Sequence, residues 1–235
     1  MRCGICTSPA RWEHERIIGS TLRDGKRPGR QGEAHRAANC FDAPKFFDPL
    51  SKNIDDIRTR HANQHIPMII GALRSYKTNQ KPYYYNLAEN FWSLIQGRYM
   101  YAMGGVGNGE MFRQPYTQIL SMATNGLQEG ESEANPDINE TCCAYNLLKL
   151  TKDLNSYHPD DARYMDYYER TLYNQIIGSL NPDKYETTYQ YAVGSTPPSH
   201  SAMRLHSPLA AAAQAQRTIP SISRQPILPT TMHSG

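Results

Sequence analysis

Three short segments carry residues whose types and spacing could do chemistry. In GGVGNGEMF, Glu110 follows Gly104, Gly105, Gly107 and Gly109, and glycines permit the tight turns that bring one carboxylate out of a loop. The plain alternative is a glycine-rich connection with a solvated glutamate. A phosphate cradle fits poorly, since no strand precedes the run and the Lys-Ser/Thr of a P-loop is missing. In INETCCAYNLLKLT, Glu140 and Cys142 stand two residues apart just before an apolar helical run. At that separation they cannot share a helix face, but in an extended or turning segment they can converge on one ion. A carboxylate with a thiolate suits zinc, which would hold the thiol deprotonated, and Cys143 is expected to point elsewhere. The alternative is a cysteine packed as a small apolar group.

In RTRHANQHIPMIIGALRSYKTN, His61 and His65 are spaced i, i+4 on one expected helix face. A metalloprotease helix would need a glutamate after the first histidine, and Ala62 stands there instead. A histidine bonded to sugar, to water or to a neighbouring side chain is the better expectation. Sixteen tyrosines offer flat faces with hydroxyl edges suited to sugar rings, though most are expected to be helix packing. Cys3 and Cys6 have C-x-x-C spacing without a second such pair, which is half of a zinc site at most. With Cys40, Cys142 and Cys143 they make five cysteines, an odd set that argues against a disulfide scaffold.

The elements that must position these residues are helical. Tyr85, Ala88, Trp92, Ile95 and Tyr99 follow a 3-4-3-4 stripe after Pro82, which predicts a helix near 83–100. Ala144, Leu147, Leu148, Thr151 and Leu154 predict a second, and Met165, Tyr168, Leu172 and Ile176 a third, capped by Asp160 and ended by Gly178. Two shorter helices, about 54–64 and 67–77, are expected to be divided by Pro67. One short strand is expected in YETTYQYAV, from about Tyr185.

These elements lie between about Phe41 and Gly194. Residues 1–40 show no helical or strand period, and residues 195–235 are rich in Ser, Pro, Ala and Thr with no aromatic residue, so both flanks are expected to be disordered or unrelated to the middle. The formal charge of +3 is spread among acidic residues, so nucleic acid is not an expected partner. No run of eighteen apolar residues and no basic-then-apolar leader is present, so neither a membrane span nor a secretory signal is expected. Thiol chemistry then makes the cytoplasm the default expectation.

Taken together and in order, HANQHIP, GALRSYKTN, FW, RYMYAMGGVGNGEMF, ETCCAYNLLKLT and DARYMDYYERTLYNQIIGS resemble the catalytic domain of glycoside hydrolase family 127, the β-L-arabinofuranosidases, from about Phe41 to Tyr191. The resemblance implies an all-α fold, here a partial (α/α)6 toroid, and retaining hydrolysis with a zinc-bound cysteine thiolate as nucleophile. This departs from the two-carboxylate scheme of most glycosidases. It implies an arabinose-containing glycan as substrate, Glu110 as general acid/base with a raised pKa, Glu140 and Cys142 as two zinc ligands, and His61 as the holder of a sugar hydroxyl.

The sequence also departs from the family pattern. The family's nucleophile and remaining ligand come from a downstream Cys-Cys pair, and no cysteine follows Cys143. The resemblance therefore leaves an acid/base without a nucleophile. It also implies missing early helices and a missing C-terminal β-sandwich region, and so an exposed apolar wall. One expectation is a genuine family segment between flanks of out-of-frame or unrelated translation. Two alternatives stand beside a truncated glycosidase: a non-catalytic carbohydrate-binding relative, and another (α/α)6 carbohydrate enzyme in which Cys142 is merely packed.

Overall fold

The computed structural model describes residues 39–119, 138–181, 186–187 and 190–191. Its helices are α1 (Pro44–Ser51), α2 (Ala62–Asn79), α3 (Pro82–Arg98), α4 (Thr141–Asn155) and α5 (Ala162–Thr171). A π turn over Leu172–Ile176 and a 3-10 turn over Ile177–Ser179 continue α5. Four strands of two or three residues complete the described elements: β1 (Ile138–Glu140), β2 (Leu180–Asn181), β3 (Glu186–Thr187) and β4 (Gln190–Tyr191). β1 pairs antiparallel with β4, and β2 with β3. The flanks before Asn39 and after Tyr191, with Cys3 and Cys6, lie outside the described residues.

Two helical hairpins, α2–α3 and α4–α5, pack together through α2 and α4, and α1 lies against α3. Gln80 turns the first hairpin in the left-handed region, φ 56°, and Pro82 opens α3 at its first position. Trp92 ties the hairpins together: its ring lies 4.6 Å from Tyr164 and 6.1 Å from Tyr167, and its Nε1–H donates to Thr151 Oγ1 at 2.9 Å. Tyr167 in turn donates to the Gly104 carbonyl at 2.8 Å, tying this core to the glycine-rich loop.

Several sequence expectations are corrected. No helix spans 54–64, and α2 begins only at Ala62. The Asp55 carboxylate accepts from the Ile57 N–H, from Arg98 and from Tyr99, and the Thr59 N–H is spent on the Phe112 carbonyl, so helical bonds give way to loop bonds. Pro67 does not divide two helices, because α2 runs through it. A proline inside a helix costs about 3 kcal/mol, but Ile66, Ile69, Ile70 and Leu73 are all buried around it. At ~1.5–3 kcal/mol per buried side chain, their packing wins. Asp161, not Asp160, caps α5 by accepting from the Arg163 N–H. Of the expected stripe, Ile176 is buried and Tyr168 and Leu172 pack partly buried against the core, but Met165 is exposed, and Tyr164, Tyr167, Thr171 and Gln175 beside them complete the buried face. The single strand near 185 is two strands with different partners.

Candidate active site

Glu110 sits at the tip of a two-residue turn. Asn108 and Met111 pair across it, N–H to carbonyl at 2.9 and 3.2 Å, while Gly109 and Glu110 between them have φ of 55° and 63°. Two successive left-handed residues are the signature of a type I′ turn, whose twist suits a tight hairpin. The Glu110 carbonyl accepts from the Ala62 N–H at 2.8 Å, and Phe112 exchanges bonds with Arg60 and Thr59, so the turn is laced to the start of α2. His61, the N-cap of α2, thereby meets the acid: its Nε2 lies 3.0 Å from Glu110 Oε2. The Glu110 side chain remains partly exposed.

His61 and His65 do not form a pair on one helix face. His61 precedes the helix, and His65 is buried against Phe46, 4.9 Å between rings, with its Nδ1–H donating to the His61 carbonyl at 2.8 Å. His65 is a core histidine that holds the backbone of His61.

The second half of the site is the start of α4. Glu140 is its extended N-cap, only 1% exposed, and Cys142 and Cys143 occupy its first turn. Cys143 does not point elsewhere, as its thiol donates to Glu140 Oε2 at 3.4 Å. Cys142 is also hydrogen-bonded to Glu140, and both thiols feel the charge of Glu110. Burial, then the Glu140 carboxylate, push both thiols well above the ordinary 9.0. Each is therefore held protonated unless a cation offsets the carboxylates.

The two halves start side by side. Asn146, one turn after Cys142, donates to Asn63 Oδ1, two residues after His61, at 2.9 Å. α2 and α4 thus bring their N-terminal ends, where helix dipoles favour negative charge, to one corner that also holds Glu110 and Glu140. The structure places all four sequence candidates, His61, Glu110, Glu140 and Cys142, in this corner. Asn63, Asn146, Asn139 and Gln175 were not singled out by sequence. Asn63, Asn139 and Asn146 carried the only signal, each lying within a turn of a candidate.

As a metal centre the corner offers donors of the right type, a carboxylate and a thiol, for two of zinc's four positions. Among the described residues no group of three or more His, Cys, Asp or Glu side chains could hold a metal ion. Four of the described tyrosines bond to carboxylates away from this corner: Tyr83 donates to Asp48, Tyr84 to Asp42, Tyr99 to Asp55 and Tyr164 to Glu89.

Residues 34–216, more than half of the chain, match the family model described as the β-L-arabinofuranosidase, GH127 catalytic domain. The chain belongs to the GH127 β-L-arabinofuranosidase family. The match reaches further in both directions than the motifs do. A solved structure titled a glycoside hydrolase shares the GH127 chain's fold with a TM-score of 0.60 at 16% identity, covering 92% of this chain. A GH127 β-L-arabinofuranosidase from Geobacillus stearothermophilus T6 aligns over 83% of this chain at 17% identity, with a TM-score of 0.48. This GH127 chain spans 39% and 32% of those two chains. No curated protein matches it by sequence. Its helical hairpins are part of an all-α toroid, and no described helix is long and apolar enough to cross a membrane.

Proposed function

We propose that this chain supplies the acid/base half of a retaining β-L-arabinofuranosidase site acting on arabinose-containing glycans. The observation that supports the reading best is the 3.0 Å approach of His61 Nε2 to Glu110 Oε2, on a turn that exposes the carboxylate. Glu110 protonates the leaving oxygen and afterwards takes a proton from water. His61 Nε2 orients Glu110 and, on turning from the carboxylate to the substrate, binds a sugar hydroxyl, since its Nδ1 is buried. Glu140 and Cys142 fill two positions of a zinc site within a six-hairpin toroid. Zinc, when bound, offsets the carboxylates and holds thiols in the deprotonated form. The reaction also needs the cysteine nucleophile that the family resemblance implies.

A second reading, sugar binding without turnover, is favoured by one observation: burial and the Glu140 carboxylate hold the Cys142 and Cys143 thiols protonated, which disfavours a thiolate nucleophile. The deciding experiment measures 4-nitrophenyl β-L-arabinofuranoside hydrolysis and L-arabinose binding by the full chain and by Glu110→Gln. Hydrolysis lost in Glu110→Gln supports the first reading. Saturable binding without turnover moves the site to the second, and absence of both overturns the two together.

A further inference from the structure

We propose that Gln175 and Asn139 are positioning residues that lock the glycine-rich loop carrying Glu110 to the start of α4 carrying Glu140 and Cys142. The proposal rests on the site reading above. Asn139 immediately precedes Glu140 and has a left-handed backbone, φ 66°. That conformation costs a side chain other than glycine roughly 1–2 kcal/mol, so something must hold it. Its N–H donates to the Gly107 carbonyl at 2.9 Å, which joins β1 to the loop three residues before Glu110. Its side-chain Nδ2–H donates to Gln175 Oε1 at 2.8 Å, and Gln175 Nε2–H returns a bond to the Asn139 carbonyl at 3.1 Å.

Both residues are buried, at 1% and 0% exposure, and a reciprocal amide pair in such a place fixes both position and angle. Gln175 reaches Asn139 from the π turn, where the Ile177 N–H bonds to the Leu172 carbonyl five residues back. Single π turns of this kind re-aim the side chains they contain, and they recur at functional sites. Gly105 completes the lock by absence: a Cβ there would collide with the Asn139 carboxamide and come within 3.0 Å of Gln175 Oε1. The pair's bonds described above run between the two residues and to the loop backbone. It sets where two backbone segments stand relative to each other.

The test reads the position of the α4 start without needing sugar or metal, so its outcome is separate from that of hydrolysis. Full-length chain and Gln175→Met are alkylated with iodoacetamide, and each cysteine is quantified by mass spectrometry with exposed Cys40 as internal standard. If the lock positions Glu140 and Cys142, Gln175→Met opens the Cys142 side and its labelling rises about tenfold, while core-facing Cys143 stays protected. Asn139→Gly is the second variant, because glycine keeps the left-handed backbone without strain and the fold survives. It should raise Cys142 labelling about threefold, since only half of the amide pair is lost. Unchanged Cys142 labelling in a variant with wild-type circular dichroism overturns the proposal. So does a parallel rise of Cys142 and Cys143, which would mark general loosening.

Discussion

The aromatic core between the two hairpins and the polar corner where α2 and α4 begin share the same helices, yet they are stabilised differently. In the core, Trp92, Tyr164 and Tyr167 sit on ordinary helical backbone, and the one polar edge of Trp92 is matched by Thr151. In the corner, Gly107, Gly109, Glu110 and Asn139 all have left-handed φ, and a buried carboxylate faces two thiols held protonated. The His61 Nδ1 is buried there without a hydrogen-bond partner among the described residues. Apolar burial can be spread over many interchangeable contacts, whereas a reactive geometry has to be held by particular backbone turns and amide pairs. The free energy that sustains the strained corner therefore has to come from the core beside it.

The comparison can be broken most sharply at Trp92. Trp92→Ala should lower unfolding free energy by about 3–5 kcal/mol in urea titrations, and a smaller loss than that of any corner variant would reverse the assignment. Glu110→Gln should do the opposite. Hydrolysis, where the wild type shows it, falls by about 10²–10⁴-fold, while stability stays within about 0.5 kcal/mol.

Alkaline titration should separate the regions by pH. The Cys142 and Cys143 values are raised from 9.0 in the fold, and those of Tyr83, Tyr84, Tyr99 and Tyr164 from 10.0, in each case first by burial. A raised folded value favours the protonated native form, so this stability is complete below the ordinary value and is lost as pH rises above it. The urea midpoint should begin to fall near 9.0 through the thiols and fall further above 10.0 through the tyrosines. Cys142→Ala combined with Cys143→Ala should delete the first phase alone. The smallest effect concerns the turn itself: Glu110→Gly should be more stable than Glu110→Ala by about 1 kcal/mol, since only glycine accepts φ 63° without steric cost.

Much of this was legible in sequence because it rests on local rules. Pro82 and the stripe after it place α3, and the apolar run after Thr141 places α4, since periodicity and helix starts are properties of a few neighbouring residues. The glycines before Glu110 signalled a turn for the same reason. What was not legible depends on distant partners. α2 runs through Pro67 only because other helices bury it. His61 leaves its helix because a loop nearly fifty residues away supplies the pairing strand. A three-residue β1 has too little pattern to read, and its partner is two residues of β4. Gln175 looked like one polar residue among several, because its function follows from a π turn that shifts the helix register.

The left-handed backbone at Glu110 also biases how relatives of this chain can diverge. On the proposed reading of Glu110 as the acid, drift at this position where selection for it lapses is not symmetrical, because the turn itself favours glycine, asparagine and aspartate over other residues. Descendants that abandon the chemistry should settle on Gly or Asn while leaving the hairpin intact, so loss of the acid would leave no trace in the fold. An Asp there would mark a lineage that kept a carboxylate of shorter reach.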